Sequence, residues 1–168
     1  MLQDDLLEQA RFLARREPRR PRQASLRRAV SAAYYALFHL LTHEAARQAV
    51  AGTGRVALRQ TVHRAFKHGD MRTVAMQFAA GRPDGRWNAA LSNATVSPDL
   101  QTVADTFVVL QQARHRADYD VSRAFRRGEA VAYVEQAEEA FRAMRRARGS
   151  SSCDVFLTAL LLQRSLNG

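Results

Sequence analysis

Apolar residues along this chain recur at the three-to-four spacing of amphipathic helices and nowhere alternate long enough to predict a strand. Leu2, Leu6, Ala10, Leu13 and Ala14 share one face of a first helix, which must stop near Glu17 because Pro18 and Pro21 follow. A second, long helix is predicted from about Ser25 to Val50. Its core stripe is Leu26, Val30, Ala33, Leu37 and Leu41, and Gly52 and Gly54 end it. A third segment, from Arg55 to Lys67, carries Val56, Leu58, Val62 and Phe66. His68-Gly69 breaks that segment, and Asp70 is placed to cap a short fourth helix with Val74, Met76 and Phe78. From Gly81 to Ser97 no period is sustained, which predicts a long loop.

Ser97-Pro98-Asp99 combines a capping serine, a proline at the first helical position and an acid in the first turn. The fifth helix that starts there is expected to run to about Phe125. A sixth is predicted from Glu129 to Arg148, with Val131, Val134, Ala137, Phe141 and Met144 facing inward. Gly149 ends it, and Ser151-x-x-Asp154 has the form of a capping box for a last short helix. Short loops between long amphipathic helices imply an all-α antiparallel bundle of four main helices with short extras over residues 1–150. The segment 151–168 adds a short helix that packs on the bundle or on a partner. Its apolar patch (Phe156, Leu157, Leu160, Leu161 and Leu162) must be covered one way or the other.

Composition narrows the class. With 168 residues, 46% hydrophobic and 25% charged, the chain is globular and able to build a core. The single cysteine, Cys153, excludes an internal disulfide and reads as a small apolar filler. The N-terminus carries acids early and does not read as a signal peptide. The apolar run FLTALLL is far short of the roughly 20 residues that span a bilayer. A cytoplasmic location without membrane contact is expected. The net charge of +10 favours polyanionic partners, nucleic acid above all, with Arg15, Arg16, Arg19, Arg20 and Arg22 as the densest run. Lys67 is the only lysine, however, and a biased codon pool produces the same arginine skew.

Candidate chemistry concentrates on two helices. On the fifth, Leu100, Val103, Phe107 and Leu110 form a stripe that Arg114, Asp118 and Val121 continue, so an Arg–Asp pair interrupts an apolar seam. Such a pair is either a mutually satisfied structural contact or the wall of a cleft. On the second helix, Arg28, Ser31, Tyr35, His39 and Thr42 form a polar and aromatic line with donors suited to phosphate, and a solvated or dimer-contact face is the competing reading. Tyr34 and Phe38 flank the line as packing residues. His39 and His43 are four apart but lack the glutamate of a metal-binding HExxH helix, so no metal ligands are assigned and no cofactor is expected.

The segments RRAVSAAYYALFH at 27–39 and ARHRADYD at 113–120 together resemble the HEPN (higher eukaryotes and prokaryotes nucleotide-binding) family, over about residues 3–148. The resemblance implies a bundle of four main helices, commonly a homodimer, that binds RNA or nucleotides or acts as a metal-independent ribonuclease or toxin. Some members are paired with a small nucleotidyltransferase as antitoxin. Arg114 matches the motif arginine and His115 the polar residue after it. The motif histidine has no counterpart, since positions 118–120 read Asp118, Tyr119, Asp120. The expected site therefore has Arg114 and Asp118 as candidate catalytic residues and Arg28, Ser31, Tyr35, His39, His115 and Tyr119 as candidate ligand contacts. Three functions stay open: an RNA- or nucleotide-binding module of a toxin, defence or stress system, a ribonuclease with a substitute base, and a non-catalytic helical interaction module.

Overall fold

The structure is a computed structural model that describes residues 1–163; the end of the expected C-terminal segment, residues 164–168, lies outside the described residues. It is all-helical, with no strand among the described residues. In chain order the helices are α1 (Leu2–Arg15), α2 (Gln23–Ala49), α3 (Val56–His63), α4 (His68–Ala79), α5 (Gly85–Leu91), α6 (Pro98–Tyr119), α7 (Arg127–Ala147) and α8 (Ser151–Leu162). The chain divides into two compact units. One holds Met1–His39 and Thr106–Arg142, the other Leu40–Asp105 and the chain from Ala143 on.

The first unit draws on α1, α2, α6 and α7. Helix α1 has Asp4 and Asp5 in its first turn and Arg15 in its last, which complements the helix dipole. Its buried face is Gln3, Leu7, Ala10 and Ala14. The expected stripe was thus one position off in part, with Leu6 and Leu13 half-buried and Leu2 exposed. Arg127 donates to the carbonyls of Glu17 and Pro18, so the backbone released after α1 keeps partners. Arg11 pairs with Glu138, and Arg15 lies 3.7 Å from Glu135, two surface contacts between α1 and α7.

Helix α2 is buried nearly all round in this unit. Leu26, Val30, Ala33 and Leu37 are fully inaccessible, as their stripe requires, but Ala29, Ser31, Ala32, Tyr34, Ala36 and Phe38 are buried too. The polar line on α2 is therefore only partly solvated: Ser31 is buried, Tyr35 and His39 are half-buried and Arg28 is exposed. Phe107 and Leu110 of α6 and Val134, Ala137 and Phe141 of α7 complete the core, and the Tyr34 and Phe107 rings lie 5.6 Å apart.

Helix α6 ends at Tyr119, not near Phe125, and Val121 is 89% exposed, outside the stripe assigned to it. The stop combines a local turn with contacts from α2. Asp120 Oδ1 accepts from both the backbone N–H (3.1 Å) and the hydroxyl (2.6 Å) of Ser122, a turn that competes with the helix. Arg27 of α2 then donates to the carbonyls of Ala117 (2.8 Å), Asp120 (2.9 Å) and Arg123. Gln23 pairs with the Phe125 backbone in both directions at 2.8 Å.

The second unit holds the end of α2, α3 to α5, the start of α6, the end of α7, and α8. Helix α8 packs against α4 and α5, with Phe78 and Phe156 rings 5.0 Å apart. Phe156, Leu157 and Leu160 are buried, so the C-terminal apolar patch is covered largely by the chain itself. The cap of α8 is Ser150, whose hydroxyl accepts from Cys153 N–H at 3.2 Å, one residue earlier than the predicted capping box. Burial pushes the Cys153 thiol up to about 11, which fits an inert filler.

Two further sequence expectations fail here. The third helix ends at His63, short of Lys67, and His68 and Gly69 already open α4, with Lys67 and not Asp70 at the cap position and Asp70 in the first turn. The predicted loop over 81–97 contains α5, a helix too short to show a period but anchored by buried Trp87 and Leu91. At the start of α6, by contrast, Ser97 Oγ accepts from Leu100 N–H at 3.3 Å, the predicted cap. Gly81, with φ of +68°, turns the chain out of α4 where a side chain would sit 3.0 Å from Gln101 Nε2. Helix α3 buries none of its residues, and Val56 and Leu58 are exposed. No helix of the described residues is long and apolar enough to cross a membrane.

Candidate functional site

Within the first unit, α2 and α6 bring four of the predicted residues into one polar cluster. Arg114 Nη2 donates to the Tyr35 hydroxyl at 2.8 Å. Its Nε lies 2.7 Å from Asp118 Oδ2, an ion pair one helical turn long, without the alignment of a hydrogen bond. The other carboxylate oxygen of Asp118 accepts from the Ser31 hydroxyl at 2.5 Å. The order Tyr35–Arg114–Asp118–Ser31 thus joins the two segments that carry the sequence motifs.

The cluster is sheltered but not sealed. The Arg114 and Asp118 side chains are 21% and 22% exposed, and Ser31 is buried. Three aromatic rings surround the guanidinium, with centroids at 5.4 Å (Tyr35), 5.4 Å (Tyr119) and 6.0 Å (Tyr34). Burial works against the Arg114 charge, but Tyr35 and the Asp118 carboxylate outweigh it and hold its pKa above the ordinary value. Burial pushes the Tyr34 hydroxyl far up, so that ring stays neutral, and with Phe38 it belongs to the core as expected.

The other predicted residues lie around this cluster. Arg28 is exposed and lines a cavity of about 480 Å³, open to solvent, whose wall also includes Leu6, Leu13, Arg16, Ser31 and Tyr35. A second cavity of about 320 Å³ has Asp118, Arg27 and Val121 in its lining. The cluster therefore contributes Ser31 and Tyr35 to one cavity and Asp118 to the other. His39, one turn beyond Tyr35, is half-buried with its ring edge-on to Phe38 at 5.4 Å. His115 and Tyr119 are exposed, with ring centroids 5.0 Å apart in an edge-to-face contact. Thr42 leaves the polar line altogether. It is fully buried in the second unit, 2.9 Å from His63 Nε2.

Chemically, the cluster holds a fixed cation beside an aromatic wall. As a proton acceptor Asp118 would compete with partners it already has, Arg114 at one oxygen and Ser31 at the other. No grouping of three or more His, Cys, Asp or Glu side chains suited to a metal ion occurs among the described residues. Arg27 is the functional-scale residue that sequence reasoning missed. Its carbonyl acceptors are Ala117 in the last turn of α6 and Asp120 and Arg123 beyond it, which no spacing within α2 announces.

No protein-family profile matches the chain, and comparison with curated proteins and with solved structures gives no match either.

Proposed function

We propose that the protein is a HEPN-like RNA- or nucleotide-binding module of a toxin, defence or stress-response system. In this reading α1, α2, α6 and α7 are the four main helices of the antiparallel bundle, and the protein works as a homodimer in the cytoplasm. A nucleotidyltransferase antitoxin is the partner the family resemblance suggests. The observation that carries the reading is the contact of Arg114 with Tyr35, which joins the two resembling segments beside a cavity lined by Arg28. Arg28 and Arg114 would receive phosphate, Tyr35 would fix the guanidinium, and His39, His115 and Tyr119 would frame the ligand.

Ribonuclease activity with a substitute base is the weaker branch, because the motif histidine is missing and each Asp118 oxygen already has a partner. A second reading has one observation in its favour. The Ser31–Asp118–Arg114–Tyr35 chain pairs each charge within the protein, which also suits a purely structural lock in an interaction module.

The test is a titration of Arg28→Gln, Arg114→Ala and the double variant Arg114→Leu/Asp118→Met with RNA at low salt, alongside thermal midpoints. A binding site predicts a loss of about tenfold or more in Arg114→Ala and a smaller loss in Arg28→Gln, which stays as stable as the parent. Arg114→Ala should also lose about 1–2 kcal/mol of stability, since it leaves Asp118 without its cation. Unchanged RNA affinity in all three variants, with the double variant as stable as the parent, assigns the pair to packing and overturns the proposal.

A further inference from the structure

The outer surface at the end of α6 carries an exposed aromatic that packing does not explain. Tyr119 is 64% exposed, in the last turn of the helix. Its ring is nonetheless held. The Arg114 guanidinium lies 5.4 Å from its centroid, and the His115 ring meets it edge-to-face at 5.0 Å. Residues three and four apart are neighbours on a helix surface, so His115 and Arg116 both flank Tyr119. Arg116 is exposed and forms no ion pair among the described residues. An exposed, oriented ring beside an unpaired cation is the arrangement that stacks an unpaired base while neutralising a phosphate.

We propose that Tyr119, braced by His115 and Arg114 and flanked by Arg116, is a stacking platform for an unpaired base of single-stranded RNA. The inference rests on the RNA-binding reading above and adds the strand state of the ligand. A duplex keeps its bases stacked on one another and offers nothing to the ring. The bracing contacts hold the ring in place before the ligand arrives, so little side-chain freedom is lost on binding. The net charge of +10 supplies the attraction that brings the strand to this surface.

The experiment compares a fluorescent twelve-nucleotide oligoadenylate with an RNA duplex of the same length by anisotropy titration. The proteins are the parent, Tyr119→Phe, Tyr119→Ala, Arg116→Gln, Arg28→Gln and Arg114→Leu/Asp118→Met. Tyr119→Ala is expected to weaken single-strand binding about tenfold, while Tyr119→Phe stays within about twofold and duplex binding is untouched. Arg116→Gln should weaken both ligands modestly and lower the salt slope by about one.

Equal affinity of the parent and Tyr119→Ala for the single strand overturns the platform, and leaves the exposed ring to a protein partner. An equal loss on strand and duplex overturns it as well, because stacking would not act on both. A loss specific to Tyr119→Ala, with Arg28→Gln and the double variant unaffected, upholds Tyr119 as the stacking ring but removes Arg114 both as its brace and from the binding site. No binding by the parent overturns both.

Discussion

Arg27 and Arg28 are adjacent in sequence, and the fold gives them opposite roles. Arg28 is exposed at the mouth of a cavity, while Arg27 donates to the Ala117 carbonyl in the last turn of α6 and to those of Asp120 and Arg123 after it, and lies 5.7 Å from the Phe125 ring centroid. Only a planar guanidinium serves several acceptors in fixed directions. Arg27→Lys is therefore expected to recover little of what Arg27→Ala loses, about 2–3 kcal/mol, and a urea melt of the two variants checks it. A full rescue by lysine would mean that charge alone matters there. Of the candidate site, Ser31, Tyr35, Arg114 and Asp118 were legible in the sequence because period 3.6 places each on a defined face. Their mutual contacts were not, since no pattern within one helix states the rotation of another.

At the scale of elements, long helices were legible and their ends less so. The start of α6 is written locally in Ser97-Pro98-Asp99, whereas its end is decided by Asp120, Ser122 and the distant Arg27 and Gln23. Helix α5 escaped notice because seven residues hold too few turns for a period. Helix α3 is the element most lightly attached. It buries no residue, and its ties include the Thr42–His63 contact at 2.9 Å and the bonds of Arg59 to the carbonyls of Val50 (3.0 Å) and Gly52.

Burial holds both His43 and His63 below the ordinary histidine value of 6.5, with Glu44, Arg47 and Arg148 also facing His43. The unfolded chain then takes up protons near pH 6.5, before the folded one does. Stability is full above that pH and falls as the pH drops through 6.5 toward the folded values. The midpoint is expected to fall as the pH drops from about 7.5 to 5.5. A series of calorimetric melts on the parent and on His43→Gln/His63→Gln should show a flatter pH dependence in the variant. Equal slopes would remove these histidines as the cause.

For the whole molecule, charge is the property that the sequence states most directly. If the +10 balance serves RNA, affinity should fall steeply between about 50 and 200 mM salt, with a slope reporting the phosphates neutralised. Replacing Arg19, Arg20 and Arg22, which lie in the segment between α1 and α2, with glutamine would lower that slope if the run takes part; an unchanged slope would leave it as solvated surface. By itself the sequence determined the helical class, the core stripes of α2, α6 and α7, the caps written within a few residues, and the basic balance. These follow from periodicity and local hydrogen bonding, which act along the chain. The tertiary structure decided what depends on neighbours distant in sequence. It shifted the buried face of α1 toward Gln3 and Leu7, buried Ser31 and Thr42 of the polar line of α2, stopped α6 at Tyr119 and covered the C-terminal patch with α4 and α5. It also set Arg114 between Tyr35 and Asp118, because the partner of a half-buried charge is chosen by packing across helices and not by the order of residues along one.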